Sequence, residues 1–227
     1  MNNNKPQLAT TWYPDTLIGI AVIFIYFFSN IVFFVVMGSF IHSDDMLMLS
    51  CTLFSLAIVI TLFNLQKKKL YPEMLFKGVF SFSDYRFNLY LMIGLMLFVT
   101  LLNKIFSISD ELFIDQLFYN KSQYQVMILC IEIVLLSPIL EEFLFRHFIL
   151  AIFPYNLGGK WAAYAIVFSS LIFTLLHTQY IHFITMLNIF VVGVILSLAR
   201  IISKGLLLPI LLHMSYNFIT LCLYFLL

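Results

Sequence analysis

Long apolar runs separated by short polar turns organise this chain. We predict transmembrane helices over seven of them: 16–37, 46–65, 88–107, 124–152, 161–177, 183–202 and 206–227. Most of these runs are about 20 residues long and continuously apolar, as a helix that crosses the hydrocarbon core must be. The strands of a transmembrane β-barrel would instead alternate apolar and polar residues over about ten positions. The pattern therefore predicts an all-α polytopic transmembrane bundle of about seven to eight helices.

The polar connections between the runs are short. Residues 1–15 are polar and then interfacial, with Trp12 and Tyr13 where an aromatic belt belongs. We expect the half-apolar segment 74–87 to lie along one membrane surface and the polar connection 109–123 to lie at the other. Because no linker or change of composition marks a boundary, residues 1–227 are predicted to form a single integral membrane domain.

Composition excludes a soluble globular domain. The chain is 63% hydrophobic and only 10% charged, with a mean hydropathy of +1.03, whereas soluble domains carry about a quarter charged residues. The net charge of +1 and the absence of a long basic cluster give no reason to expect nucleic acid as a partner. The expected surroundings are the lipid bilayer of a cell membrane.

The distribution of lysine and arginine predicts the orientation. If the amino terminus is cytoplasmic, all twelve of these residues except Lys104 and Lys121 lie on or near the inner side. This bias follows the positive-inside rule, so we predict a multi-pass protein with a cytoplasmic amino terminus. The three cysteines lie within predicted spans without a Cys-x-x-Cys spacing, so we expect buried free thiols: Cys51, Cys130 and Cys222.

The fourth run contains an unusual group of charges. Glu141, Glu142 and Arg146 fall within six residues, although each ionised side chain at mid-bilayer costs roughly 2.5–3.5 kcal/mol. Glu142 and Arg146 are four residues apart, in the favourable order for an ion pair on one helix face. Glu141 is off that face and is left as a spare acid. Ser137-Pro138, just before it, predicts a kink or break in the helix.

Two later spans also carry polar pairs one helical turn apart. Phe173 precedes His177 by four residues, and His213 precedes Asn217 by four residues. Two histidines and an asparagine on helices other than that of the spare acid favour a functional site. We interpret His147 and His182, near predicted helix ends, as interfacial; Glu132 has no visible partner.

These residue types support the activation of water. A carboxylate in an apolar pocket can take a proton from water while a neighbouring imidazole orients it. A His and Asn pair can donate hydrogen bonds to an oxyanion. No Gly-x-Ser-x-Gly elbow or His-Glu-x-x-His helix is present. The motifs identify no certain cofactor, and spacing alone leaves zinc open, because Glu141, His177 and His213 could form a two-His, one-carboxylate metal site.

Three motifs in this order resemble those of the CPBP family, which includes CAAX prenyl endopeptidases and bacterial Abi-type intramembrane proteases. They are Glu141-Glu142-x-x-x-Arg146, Phe173-x-x-x-His177 and His213-x-x-x-Asn217, and the run from Gly205 to His213 resembles the lead-in to the third motif. The resemblance covers residues 124–220. It implies a CAAX-protease-like helix bundle with a conical intramembrane cavity.

The resemblance also implies roles for individual residues. Glu141 would activate water with His177 beside it, and His213 and Asn217 would stabilise the oxyanion. Glu142, Arg146 and Phe173 would support the site. Counting the rise along each predicted helix places His177 too far from the inner surface to meet the other groups. Convergence therefore requires either that the fifth helix begins in the cytoplasm, before Trp161, or that the crossing assigned to it is wrong.

The favoured function is an intramembrane endopeptidase that hydrolyses a membrane-embedded or lipidated peptide or protein substrate. One alternative is acyl transfer to a lipidated protein, such as a lipoprotein N-terminus, because the same base could deprotonate an amine. Another is a non-catalytic bacteriocin self-immunity or scaffold protein, in which polar residues tie helices together at about 0.6 kcal/mol per bond.

Overall fold

The computed structural model describes residues 13–70, 75–109 and 111–226, and within these ranges it contains helices and no strands. We number the helices α1 (Tyr13–Gly38), α2 (Asp44–Lys69), α3 (Phe82–Ile105), α4 (Leu112–Phe118), α5 (123–152), α6 (Gly159–Leu175), α7 (Phe183–Ser203) and α8 (Leu207–Leu226). A short 3₁₀ turn, Tyr155–Leu157, precedes α6. The predicted all-α bundle is confirmed.

Five helices in the described part of the chain are long and apolar enough to cross a membrane, namely α1, α2, α3, α7 and α8. The protein is therefore a multi-pass membrane protein. The seven crossings and the cytoplasmic amino terminus stay predictions. Trp12 and the side chain of Tyr13 lie outside the described part, so the aromatic-belt prediction does too.

Two connections differ from those expected. Helix α3 begins at Phe82 rather than near residue 88, so part of the segment expected along the membrane surface is transmembrane helix. The Ser81 hydroxyl accepts a hydrogen bond from the Asp84 N–H and caps this earlier start. The polar connection 109–123 contains the short helix α4.

Helix α5 is continuous but irregular. It consists of an α segment (Gln123–Ile131), a π segment (Glu132–Leu136), an α segment (Ser137–Glu141), a second π segment (Glu142–Ile149) and a 3₁₀ turn (Leu150–Ile152). The irregularity predicted at Ser137-Pro138 therefore takes the form of wide π turns on both sides rather than a break. Such turns accommodate a proline that lacks an N–H, and they occur often at functional sites.

Helix α5 lies at the centre of the bundle. One buried apolar cluster joins it to α1, α2 and α8, and includes Val22, Val59, Phe148 and Ile210. Another joins it to α6 through Phe145 and Phe173, whose rings meet edge to face. Many large apolar side chains of α1 point outward instead, as expected for contact with lipid.

The turn between α7 and α8 is fixed by the segment that precedes α3. The Val79 N–H donates to the Ser203 carbonyl at 2.7 Å, and the Leu206 N–H donates to the Phe76 carbonyl at 2.8 Å. The backbones approach so closely that a Cβ on Gly78 would lie 2.5 Å from the nitrogen of Gly205. Gly78 also has φ +61°, which glycine adopts without strain.

Two side-chain predictions need correction. His147 is buried, not interfacial, because α2 covers this end of α5; its Nε2 lies 2.8 Å from Gln66 Oε1 and its ring contacts Phe63. The cysteines are free, as predicted, but they are half-buried rather than buried: Cys51, Cys130 and Cys222. His182 lies where expected, immediately before α7, and is half-buried.

Candidate active site

The innermost part of the site is a buried ion pair. Glu142 and Arg146 are both completely buried, and Glu142 Oε2 lies 3.3 Å from Arg146 Nε. The predicted i,i+4 pair is therefore present. The guanidinium carbon of Arg146 lies 4.4 Å from the ring centre of Phe173, which is itself buried on α6. Phe173 thus covers the ion pair through a cation–π contact that excludes water.

The second oxygen of the same carboxylate binds a histidine from another helix. His213 Nδ1, on α8, lies 2.9 Å from Glu142 Oε1. Because a carboxylate can only accept, His213 donates from Nδ1, and this bond fixes the orientation of its ring. Helical spacing predicts only the pairing of Glu142 with Arg146. A second partner is indicated by the fact that a buried carboxylate has two oxygens, of which the ion pair uses one.

Glu141 lies on the other side of the same imidazole. Its Oε2 is 3.7 Å from His213 Nε2, and its side chain is 25% exposed. This oxygen has no hydrogen-bond partner among the described residues. The separation is too long for a direct hydrogen bond but allows one water or substrate oxygen to contact both atoms. Glu141 is therefore the acid that remains available, as its sequence position suggested.

His177 reaches the site from the turn that follows α6. Helix α6 ends at Leu175, and His177 Nδ1 lies 2.7 Å from the carbonyl oxygen of Phe173. That carbonyl can only accept, so Nδ1 donates and Nε2 is left free of this bond. The Phe173 ring centre is 4.5 Å from that of His177 and 5.8 Å from that of His213. One aromatic ring therefore lies against both imidazoles.

Two cavities border these groups. The larger, of about 850 Å³, is lined by His177, His213 and Asn217 among others. The smaller, of about 270 Å³, is lined by Glu141 and His177, together with Tyr26 and Gln179. His177 lines both cavities. The spare acid and the potential hydrogen-bond donors thus face space that can hold a water and a substrate.

Tyr180 lines the larger cavity and belongs to none of the three motifs. Its ring stacks at 6.4 Å on that of His177, three residues earlier, and it faces the larger cavity. Burial, together with the carboxylates of Glu111 and Glu141, raises the pKa of Tyr180 to about 12. The phenol is therefore neutral at physiological pH and can donate a hydrogen bond into the cavity. Its position three residues after a candidate histidine is the sequence feature that could have identified it.

Glu111 lies at another part of the larger cavity. Its carboxylate accepts hydrogen bonds from the backbone N–H groups of Ile181 and His182, at 3.1 and 3.0 Å. Burial acts to raise the pKa of Glu111, but the hydrogen bonds outweigh it, so the pKa lies below its ordinary value. Glu111, which immediately precedes α4, thus fixes the position of the connection between α6 and α7 that contains Tyr180.

Asn217 and Glu132 are tied to neighbouring helices. Asn217 lines the larger cavity, and its Nδ2 donates to the Ile133 carbonyl at 2.9 Å. Glu132, which had no visible partner in the sequence, is buried and accepts a hydrogen bond from the Thr52 hydroxyl of α2. Both contacts join residues far apart in the chain, so sequence spacing could not reveal them.

The candidate zinc ligands do not fit a metal site. Within residues 13–70, 75–109 and 111–226, no three His, Cys, Asp or Glu side chains are arranged to hold a metal ion. His213 and His177 each donate one N–H, to Glu142 and to a backbone carbonyl, and each keeps a second nitrogen. These second nitrogens and Glu141 do not form a ligand group.

Taken together, the fold and the site define a multi-pass membrane protein with an acid and two imidazoles gathered inside an apolar bundle. Residues 123–219 match the family model described as type II CAAX prenyl endopeptidase Rce1-like. The resemblance to the CPBP and CAAX protease family, inferred from three motifs over residues 124–220, is thereby confirmed for this segment.

One curated relative is similar over about half of this chain. An Escherichia coli protein described as an uncharacterized 24.3 kDa protein is 40% identical over 117 residues, which is 52% of this chain and 54% of that protein. The match thus spans about half the length of the relative. No solved structure matches the chain.

Proposed function

We propose that the protein is an intramembrane endopeptidase in which Glu141 activates water for attack on a peptide bond. The observation that carries this proposal is the 3.7 Å separation between Glu141 Oε2 and His213 Nε2, beside two cavities that His177 lines in common. The match of residues 123–219 to the CAAX endopeptidase model supports the same class of reaction.

The first step uses the smaller cavity. A water held there between Glu141 and His177 gives a proton to the Glu141 carboxylate as its oxygen attacks the substrate carbonyl carbon. His177 accepts a hydrogen bond at Nε2 from the second O–H of the water, which stays on the attacking oxygen, since His177 Nδ1 donates to the Phe173 carbonyl. Attack converts the carbonyl oxygen into an oxyanion on a tetrahedral carbon.

The second step uses the donors around the larger cavity. In its protonated form His213 donates from Nδ1 to Glu142 and from Nε2 to the oxyanion. One such donor is worth roughly 2.7–4 kcal/mol in measured cases. When the intermediate collapses, the carbon–nitrogen bond breaks and Glu141 returns its proton to the leaving amine. The products are a carboxylic acid, which ionises by giving its remaining proton to water, and an amine, and Glu141 is ionised again.

The substrate in this proposal is a membrane-associated or lipidated peptide. The larger cavity combines polar groups with apolar walls, including Met96, Ile189, Val192 and Leu223. Such a lining suits a peptide whose carbonyl groups need donors and whose lipid or apolar side chains do not. Because the site lies among apolar helices, a substrate held at the membrane reaches it without leaving the bilayer.

The test uses purified protein in liposomes and a farnesylated peptide that ends in a CAAX sequence, with the same peptide lacking the lipid for comparison. We expect mass spectrometry to detect two fragments with wild-type protein and intact peptide with Glu141→Gln or His177→Ala. His182→Ala is the matched control, because this histidine lies outside both cavities, and it should cleave normally.

Each other outcome contradicts hydrolysis by these residues. Equal cleavage by wild-type protein and both site variants would show that Glu141 and His177 do not perform it. A gain in the mass of an added amine acceptor, without free carboxylate product, would show acyl transfer. No change in the peptide with wild-type protein would favour a non-catalytic role.

A further inference from the structure

The first π segment of α5 leaves one backbone carbonyl without a donor from its own helix. The Ser137 N–H donates to the carbonyl of Glu132, five residues earlier, so it does not serve Ile133. The residue five positions after Ile133 is Pro138, which has no N–H. The Ile133 carbonyl therefore has neither the i+4 donor of an α-helix nor the i+5 donor of a π-helix. In an apolar bundle such a group needs a partner from elsewhere.

That partner comes from α8. Asn217 Nδ2 donates to the Ile133 carbonyl at 2.9 Å. One turn earlier on α8, His213 binds Glu142, which also belongs to α5. Two hydrogen bonds thus join the same pair of helices on either side of Glu141 in the sequence of α5. The π segment is also held from α2, through the bond from Thr52 to Glu132.

We propose that Asn217 is a positioning residue whose amide replaces the N–H that Pro138 lacks. By anchoring the Ile133 carbonyl, it sets α8 against α5 so that His213 Nε2 faces Glu141 Oε2 at 3.7 Å. The catalytic consequence rests on the function proposed above, but the anchoring does not. This role differs from the oxyanion contact that the family resemblance implies for Asn217, and one experiment decides between them.

The experiment is a double-mutant cycle. Asn217→Leu removes the donor with little change in size. Pro138→Ala supplies a backbone N–H, so that Ile133 can be paired within α5 in either register. Asn188→Leu is the matched control, because Asn188 also lines the larger cavity and donates to the Tyr216 hydroxyl at 2.8 Å. Each variant is made alone and together with Pro138→Ala.

Two quantities are measured for each variant, namely the Tm in detergent micelles and kcat and KM on the farnesylated CAAX peptide. We expect Asn217→Leu to lower Tm by about 2–8 °C and to lower kcat at least about tenfold with little change in KM. Adding Pro138→Ala should restore most of the loss in Tm, because the Ile133 carbonyl is paired again within α5. The loss in kcat should remain, because α8 is still not joined to α5 at this point. Pro138→Ala should not restore the Tm of Asn188→Leu, whose lost bond is elsewhere.

Two results would overturn the proposal. If Pro138→Ala fails to raise the Tm of the Asn217→Leu protein, the Ile133 carbonyl is not what Asn217 serves. If Asn217→Leu lowers kcat as much in a His213→Ala protein as in the wild type, the amide acts on the substrate itself and is not a positioning residue. If wild-type protein leaves the peptide intact, the proposed function fails, while the Tm values still decide the anchoring.

Discussion

Glu142 and His213, 71 residues apart in the chain, share a buried hydrogen bond of 2.9 Å between α5 and α8. The other oxygen of the same carboxylate lies 3.3 Å from Arg146. Glu142 therefore joins the ion pair of one helix to the imidazole of another. Glu141, its neighbour in sequence, has an oxygen without a partner among the described residues and faces a cavity. Of these two adjacent glutamates, Glu142 is buried and paired on both oxygens, whereas Glu141 is partly exposed to a cavity.

The first prediction follows from this contrast. Glu142→Gln should lower the free energy of unfolding by about 3–5 kcal/mol, because it leaves the Arg146 charge buried without a counterion. Glu141→Gln should change it by less than about 1 kcal/mol, since the half-exposed acid has no such partner. Reversible unfolding in mixed micelles measures both. Equal destabilisation by the two variants would show that their environments do not differ as described.

The second prediction concerns Tyr180, whose neutral phenol faces the larger cavity. Tyr180→Phe should lower turnover about fivefold through the loss of one neutral hydrogen bond to the substrate, with unchanged Tm. Tyr85→Phe is the control, because the Tyr85 hydroxyl pairs with Ser215 and does not line either cavity. If both variants turn over the substrate as wild type does, Tyr180 makes no contact that matters to the reaction.

The third prediction concerns pH and Glu111. Because its folded-state pKa is lowered by two backbone N–H donors, its ionised form stabilises the fold above the ordinary pKa of 4.5. That contribution is lost as pH falls through the folded-state pKa. Wild-type protein should therefore have a higher Tm than Glu111→Gln at pH 7, and the difference should shrink towards pH 3. A difference that stays constant with pH would assign the effect to packing instead.

Local features of this structure could be predicted from the sequence. The Glu142–Arg146 pair depends only on helical spacing, and the apolar runs fixed most helices to within a few residues. The irregularity of α5 was expected from Pro138. The three motifs also predicted which side chains gather, although the spacing alone placed His177 too far away. In the structure His177 follows the end of α6 and packs on Phe173, whose ring also lies against His213.

Contacts between distant residues could not be predicted in this way. Thr52 with Glu132 and Asn217 with Ile133 join helices whose relative register a single sequence does not reveal. His147 was placed wrongly for the same reason, because its burial depends on which helix packs beside it. The π turns of α5 also change which backbone groups are free, and periodicity does not report them.

Hydrolysis at this site requires that water is the nucleophile and that Glu141 is the base that activates it. The direct measurement is cleavage of the farnesylated peptide in water enriched in ¹⁸O, with the products analysed by mass spectrometry. We predict one ¹⁸O atom in the new carboxylate with wild-type protein, and no new carboxylate with Glu141→Gln. Labelled product formed equally by the Glu141→Gln protein, or product without label, would contradict the account.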